Sequence, residues 1–251
     1  MTEVLFEATG LTRRYRQCTA VDDVDLAVRA GAALGIVGES GSGKSTLLRM
    51  LLALEEPDSG AVRYRGHELR AGDAGKLRWF RREVQAVFQD PRGSLNPRWT
   101  VGRSIAEPLG CLGLDGDHAE RVTEVLADVG LEPDVADRHP HEFSGGQCQR
   151  IALARAIAPG PRVLIGDEPV SAVDISTRAQ VLELLGRLVR ERELTLIFVS
   201  HDLGVVRHLC DDVVIFRAGR AVERGPAAEV LTTPSQPYTR RLVDSVPRMP
   251  V

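Results

Sequence analysis

Four short apolar runs punctuate the chain at residues 32–37, 84–88, 162–165 and 194–199, each followed by turn residues or a charged cluster and then a helix-like stretch. Runs of this length predict buried strands, and their alternation with helical spacing predicts a parallel sheet covered by helices. The first run passes through Gly-rich sequence into residues 44–54, apolar at helical spacing. Glu55-Glu-Pro-Asp-Ser-Gly60 stops that helix, because Pro lacks the N–H and Gly favours a turn. Alternating segments at 4–8, 21–28 and 61–64 predict a small antiparallel sheet flanking the parallel one. Between Gln89 and Arg162 strand pattern gives way to helical spacing at 102–112, 117–129 and 145–158, which predicts a helical insertion over about residues 90–160. Near the end, 213–216 and 221–224 flank Arg217-Ala-Gly-Arg220 as a hairpin, and a Pro-punctuated helical tail covers about 226–251. These elements predict one α/β domain over residues 1–251, without internal repeats or a flexible linker.

Composition changes this picture in four places. Only 4% of residues are aromatic, so the core is expected to be aliphatic. A formal charge of −3 supplies no overall positive field for nucleic acid. Of the 32 basic residues only Lys44 and Lys76 are Lys, so a Lys at a site stands out. Cys18, Cys111, Cys148 and Cys210 have no metal-ligand spacing and are expected to be reduced, packed thiols of a cytoplasmic protein. The first seven residues lack a signal-peptide pattern, and no apolar stretch is long enough to span a membrane.

Three motifs carry chemistry. Gly38-Glu-Ser-Gly-Ser-Gly-Lys-Ser45 fits G-x-x-x-x-G-K-[ST] where a predicted strand meets a predicted helix. Its glycines let backbone N–H groups turn towards phosphate oxygens, Lys44 can reach the outer phosphates, and Ser45 offers a hydroxyl to Mg²⁺. Gly38, Glu39, Ser40, Gly41, Ser42, Gly43, Lys44, Ser45 and Thr46 are the expected phosphate-binding residues. Val163-Leu-Ile-Gly-Asp167-Glu168 ends an apolar strand in two adjacent carboxylates, whose burial without a cation or a transferred proton would cost several kcal/mol. Asp167 suits Mg²⁺ and Glu168 suits a general base that polarises water; two acids solvated at a strand end are the plain alternative. Phe143-Ser-Gly-Gly-Gln147 opens a helix whose N-terminal N–H groups could hold a second anion, although Ser-Gly-Gly read alone more often marks only an N-cap, here Ser144.

In this order the phosphate loop, Gln89, Ser144-Gly-Gly-Gln147, Asp167-Glu168, Ser171-Ala-Val-Asp174 and His201 resemble the nucleotide-binding subunit of an ATP-binding cassette transporter. The resemblance runs from about residue 4 to residue 246 and implies a P-loop NTPase core of RecA-like type, with an N-terminal antiparallel β subdomain and a helical insertion. It implies ATP and Mg²⁺ as cofactors, with Ser144, Gly145, Gly146 and Gln147 of one subunit closing on the γ-phosphate held by the other. It further implies that Gln89 contacts Mg²⁺ and the attacking water, that Asp174 lies at the dimer seam, that His201 holds the γ-phosphate, and that Tyr15 stacks on adenine.

Gln89-Asp-Pro-Arg-Gly-Ser-Leu-Asn-Pro97, Ile105-Ala-Glu-Pro-Leu109 and the tail Pro237-Tyr-Thr-Arg-Arg-Leu242 are similar to the oligopeptide, dipeptide and nickel importer branch. That implies peripheral attachment to the cytoplasmic side of the cell membrane. It implies a second ATPase subunit, identical or different, two transmembrane permease subunits and, indirectly, an external substrate-binding protein. The cargo implied is peptide, with nickel or a metal chelate as the alternative; a soluble cassette ATPase acting on ribosomes or DNA is the less favoured reading. Phe143, Cys148 and Val173 depart from the usual pattern without removing a reacting group, and Cys148 puts only a peripheral polar contact in doubt. Residues 90–99 are expected to form a polar surface loop with Trp99 exposed.

Overall fold

The computed structural model describes residues 3–72, 75–170 and 175–245. Its first elements are β1 (Val4–Tyr15), β2 (Cys18–Arg29), β3 (Ala33–Val37), α1 (Lys44–Leu51), β4 (Ser59–Tyr64) and β5 (His67–Leu69). There follow α2 (Arg78–Glu83), β6 (Val84–Val87), α3 (Val101–Leu112), α4 (His118–Asp128), α5 (Gly145–Ile157), β7 (Val163–Asp167) and α6 (Ile175–Glu191). The last are β8 (Thr195–Ser200), α7 (Leu203–Leu209), β9 (Asp212–Arg217), β10 (Arg220–Pro226), α8 (Ala227–Val230) and α9 (Pro237–Asp244). Two compact units emerge, one drawn from Met1–Asp73 with Thr195–Val251, the other from Ala74–Leu194.

The first unit holds two sheets. In one, β1 pairs antiparallel with β2 and β4, and β4 with β5. In the other, β3 lies parallel between β8 and β9, and β10 pairs antiparallel with β9. Every residue of β3 and β8 is buried, which is why both read as continuous apolar runs. β1 and β2 extend well beyond their alternating segments, because the far end of β1 is polar and is held by ion pairs: Arg13 meets both Glu55 and Asp58. Phe6 and Tyr64, both fully buried with ring centroids 4.9 Å apart, fill the sheet's inner face.

The helix after β3 is shorter than its apolar spacing predicts, ending at Leu51 rather than at residue 54. Ala53 takes φ +50°, and the N–H groups of Leu54 and Glu55 both turn back to the carbonyl of Arg49. That left-handed stop turns Leu54 outward, and an exposed leucine keeps the period without belonging to the helix.

In the second unit β6 and β7 pair in parallel, and α3, α4 and α5 pack on one another, with Ile105, Val125, Leu126 and Ile151 fully buried. The helix starts are capped as the sequence allows: Thr100 accepts from the N–H of Arg103, and Asp117 from those of Ala119 and Glu120. Arg121 donates to the carbonyls of Ala158 and Ile157, which satisfies the open end of α5. The short helix α2 has no counterpart in the sequence reading, since six residues hold too little of a helical period to mark one. Trp99 is half-buried rather than exposed, with the Arg103 guanidinium 4.3 Å from its ring centroid.

Candidate nucleotide-binding site

In the first unit the register of the parallel strands brings two predicted residues to one edge. Val37 lies opposite Ser200 on one side and Ile215 on the other, so Gly38 and the exposed His201 leave the sheet at the same carboxyl ends. Parallel α/β sheets take their ligands at that edge. Asp202 caps α7 through the N–H groups of Gly204 and Val205, and its own N–H donates to the Ser200 hydroxyl, which fixes the chain on both sides of His201.

The phosphate loop runs from Gly38 into α1. Gly43, the N-cap, has no side chain to offer the helix, so the opening N–H groups of α1 and its positive dipole end are left for an anion. Lys44 is 6% exposed. Its ammonium donates to the carbonyls of Gly38 (2.7 Å) and Glu39 (2.8 Å) and to the Ser42 hydroxyl (3.4 Å). Ser45 is exposed on the first turn and Thr46 half-buried, while Glu39, Ser40 and Gly41 form the exposed rim. Leu47, Leu48, Met50 and Leu51 anchor the helix from below, each burial worth about 1.5–3 kcal/mol. From the β9–β10 turn, the N–H of Gly219 donates to the Ser42 carbonyl.

Tyr15, 41% exposed at the end of β1, is held by Arg13 of its own strand and by Glu55, whose segment was expected only to stop a helix. Its hydroxyl donates to Glu55 Oε1 at 2.5 Å, the same oxygen that Arg13 Nε meets at 2.7 Å, and the Arg13 guanidinium lies 5.2 Å from the ring centroid. Burial would raise the Glu55 pKa, but the hydrogen bonds from Tyr15 and Arg13 and the charges of Arg13 and Arg49 outweigh it and hold the carboxyl below its usual range. The only sequence signal for this anchor was the acids of the 55–60 turn, Glu55, Glu56 and Asp58, against an Arg-rich strand end.

In the second unit Val87 lies opposite Gly166, so Gln89 and the Asp167-Glu168 pair also leave their strands at one edge. Gln89 Nε2 is 3.5 Å from Glu168 Oε2, a long contact between an exposed amide and a half-buried carboxylate. Glu168 takes φ +47°, a conformation that costs a residue with a side chain on the order of 1–3 kcal/mol and that clusters at functional sites. No sequence pattern announced that strain.

The Ser-Gly-Gly-Gln segment is a reciprocal capping box: the Ser144 hydroxyl accepts from the Gln147 N–H at 3.3 Å, and Gln147 Oε1 accepts from the Ser144 N–H at 3.0 Å. The N-cap reading is therefore real, and the N–H groups of Gly145 and Gly146 still open the helix. Cys148 is packed as expected: it is fully buried, its Sγ 3.5 Å from the Pro140 carbonyl, and burial raises its thiol pKa against the opposing Arg92. The expectation of four packed thiols fails at Cys18 and Cys111, which are exposed, one beside the tight β1–β2 turn and the other on the last turn of α3. Asp174 and the rest of 171–174 lie outside the described residues.

Residues 21–171 match the family model described as ABC transporter. The chain is 45% identical over 241 residues to a di/tripeptide transport ATP-binding protein of Pseudomonas aeruginosa, covering 95% of this chain and 74% of that one. It is 48% identical over 231 residues to the oligopeptide transport ATP-binding protein OppF of Escherichia coli, covering 91% and 69%. A post-hydrolysis dimer of the ATP-binding cassette MJ0796, bound to ADP and phosphate, superposes with a TM-score of 0.80 at 28% identity, over 89% of this chain and 99% of that one. The chain belongs to the ABC transporter family and is an ATP-binding, ATP-hydrolysing subunit with the P-loop NTPase fold. ATPases of this family work with transmembrane permease components. No helix among the described residues is long and apolar enough to cross a membrane.

Proposed function

We propose that the protein is the peripheral, cytoplasmic-face ATPase of a bacterial peptide importer, with Lys44 and the opening N–H groups of α1 holding the ATP phosphates. The observation that carries this reading is the buried Lys44 ammonium, set among loop carbonyls at the start of a helix whose cap residue has no side chain. Peptide cargo is favoured over nickel or a metal chelate by the relatives' names, which are those of di/tripeptide and oligopeptide systems.

The Ser45 hydroxyl, the Asp167 carboxylate and the Gln89 amide oxygen are hard oxygen donors, and Ser45 and Gln89 are exposed, a set that suits Mg²⁺ better than a soft metal. Bound there, Mg²⁺ would neutralise charge on the outer phosphates. Glu168 accepts the proton of the attacking water as general base, Gln89 orients that water, and His201 donates a hydrogen bond to the γ-phosphate. Tyr15 stacks on the adenine. Ser144, Gly145, Gly146 and Gln147 of a second ATPase subunit offer their helix N-terminus to the same γ-phosphate, and Asp174 lines the seam. Two permease subunits take up the closing motion, and an external binding protein delivers the peptide to them.

Glu168→Gln tests the core of this scheme. The variant is expected to bind ATP as the parent does, to form an ATP-dependent dimer, and to lose about 10²–10⁴ of the hydrolysis rate. Near-parental turnover would remove Glu168 from the base role. In proteoliposomes with the permease, ATP hydrolysis stimulated by a nickel-loaded and not by a peptide-loaded binding protein would overturn the cargo assignment.

A further inference from the structure

The tail motif Pro237-Tyr-Thr-Arg-Arg-Leu242, which the nucleotide chemistry above leaves unused, forms helix α9, and its tyrosine touches the phosphate loop. Tyr238 is 6% exposed, and its hydroxyl lies 3.4 Å from the N–H of Glu39, from which it accepts a hydrogen bond. The carbonyl of that same Glu39 accepts from the Lys44 ammonium at 2.8 Å and from the Ser42 N–H at 3.2 Å. One residue of the loop is thus held at its N–H by the tail and at its carbonyl by the lysine.

The tail itself is pinned at two further points. The Arg217 guanidinium, at the end of β9, lies 4.7 Å from the Tyr238 ring centroid, so the ring is clamped from the strand that backs the loop. At the start of α9, Glu223 Oε1 accepts from both the N–H and the hydroxyl of Ser235, each at 2.7 Å, and Oε2 accepts from the Gln236 N–H at 3.2 Å. Those bonds satisfy donors at the beginning of the helix and set its direction. The chain from β10 through α9 therefore forms a brace that starts at Glu223 and ends on Glu39.

We propose that Tyr238 is a positioning residue for ATP: through the Glu39 peptide it holds the phosphate loop and the Lys44 ammonium in the geometry that receives the triphosphate. A tail helix with this tyrosine then sets nucleotide affinity without touching the nucleotide.

The test uses the full chain and measures dissociation constants for ATP and for inorganic tripolyphosphate by displacement of a fluorescent nucleotide, beside the KM and kcat of hydrolysis. Tyr238→Phe removes only the accepting oxygen and keeps the ring under Arg217. It is expected to weaken ATP and tripolyphosphate by the same factor, roughly 2- to 10-fold, as suits one neutral hydrogen bond, with KM rising in step and kcat within about twofold. Glu223→Ala, which releases the start of α9, is expected to move both affinities in the same direction. Val28→Ala removes core packing at the end of β2 away from the loop and is expected to lower stability without changing either affinity. Parental affinity for both ligands in Tyr238→Phe would overturn the proposal. So would a loss for ATP alone, or an equal loss in Val28→Ala, which would make the effect one of general loosening.

Discussion

Two glycines of the phosphate loop offer a sharp test of how the loop is held, because they are glycine for different reasons. Gly41 has φ +76°, and a Cβ built there meets nothing within 4 Å. Gly43 has φ +107°, and a Cβ there would sit 1.9 Å from the Ala20 carbonyl oxygen and 3.1 Å from Phe216 Cε1. Gly41→Ala therefore incurs only left-handed strain, about 1–2 kcal/mol. Gly43→Ala incurs comparable strain and also forces backbone apart, as in an overpacked core, a further 1–3 kcal/mol or so. Against a total stability on the order of 5–15 kcal/mol, the second variant is expected to lose about 2–5 kcal/mol and the first no more than about 2. Because Gly43 precedes Lys44, the displacement also moves the ammonium, so ATP affinity is expected to fall at least about tenfold in Gly43→Ala and far less in Gly41→Ala. Urea unfolding followed by circular dichroism reads the stability, with an unchanged m-value required for the comparison, and nucleotide displacement reads the affinity. Equal losses in the two variants, or parental stability in Gly43→Ala, would refute the claim that β2 crowds the start of α1.

Tyr15→Ala is expected to weaken ATP by roughly 5- to 150-fold, from a stacking contribution of about 1–3 kcal/mol, and to leave tripolyphosphate binding unchanged; a parallel loss of both would take the base away from Tyr15. Glu55, whose carboxyl is held below its unperturbed 4.5, stabilises the fold in full above that pH and loses the contribution as pH falls through its lowered folded value. Glu55→Gln is expected to flatten that acid limb of the stability curve, and an unaltered limb would show that the Tyr15–Arg13 cluster contributes nothing there. Of the four thiols, Cys18 and Cys111 are expected to react rapidly with an aromatic disulfide reagent in the native protein. Cys148 and Cys210 are expected to react only on unfolding, the latter because burial, with the charge of Asp211 adding to it, pushes its pKa up to about 12. Four fast equivalents would contradict the burial of those two side chains.

The phosphate loop, the apolar strands β3 and β8, and Ser144 as an N-cap were all legible in the chain. Each depends on residues within a few positions of one another, so local spacing and hydrogen-bonding chemistry determine it. The end of α1 escaped the periodicity, because a left-handed Ala53 stops a helix without changing the apolar pattern. The exposure of Cys18 and Cys111 escaped composition, since a cysteine is buried or exposed by what packs over it. Glu168 was readable as an acid at a strand end, but its positive φ was not.

Only tertiary structure decided what meets what. Tyr15 and Glu55 are 40 residues apart, and Glu39 and Tyr238 are 199 apart; neither pair shares a motif. His201 reaches the edge of the phosphate loop through the register of β8 on β3, and Gln89 reaches Glu168 through that of β6 and β7. The sequence by itself determined which side chains are candidates for the chemistry, because that is carried by side-chain identity at short spacing. The structure decided how those groups are held, because their supports are single hydrogen bonds and ring contacts between distant segments, which follow only once the strands and helices have packed.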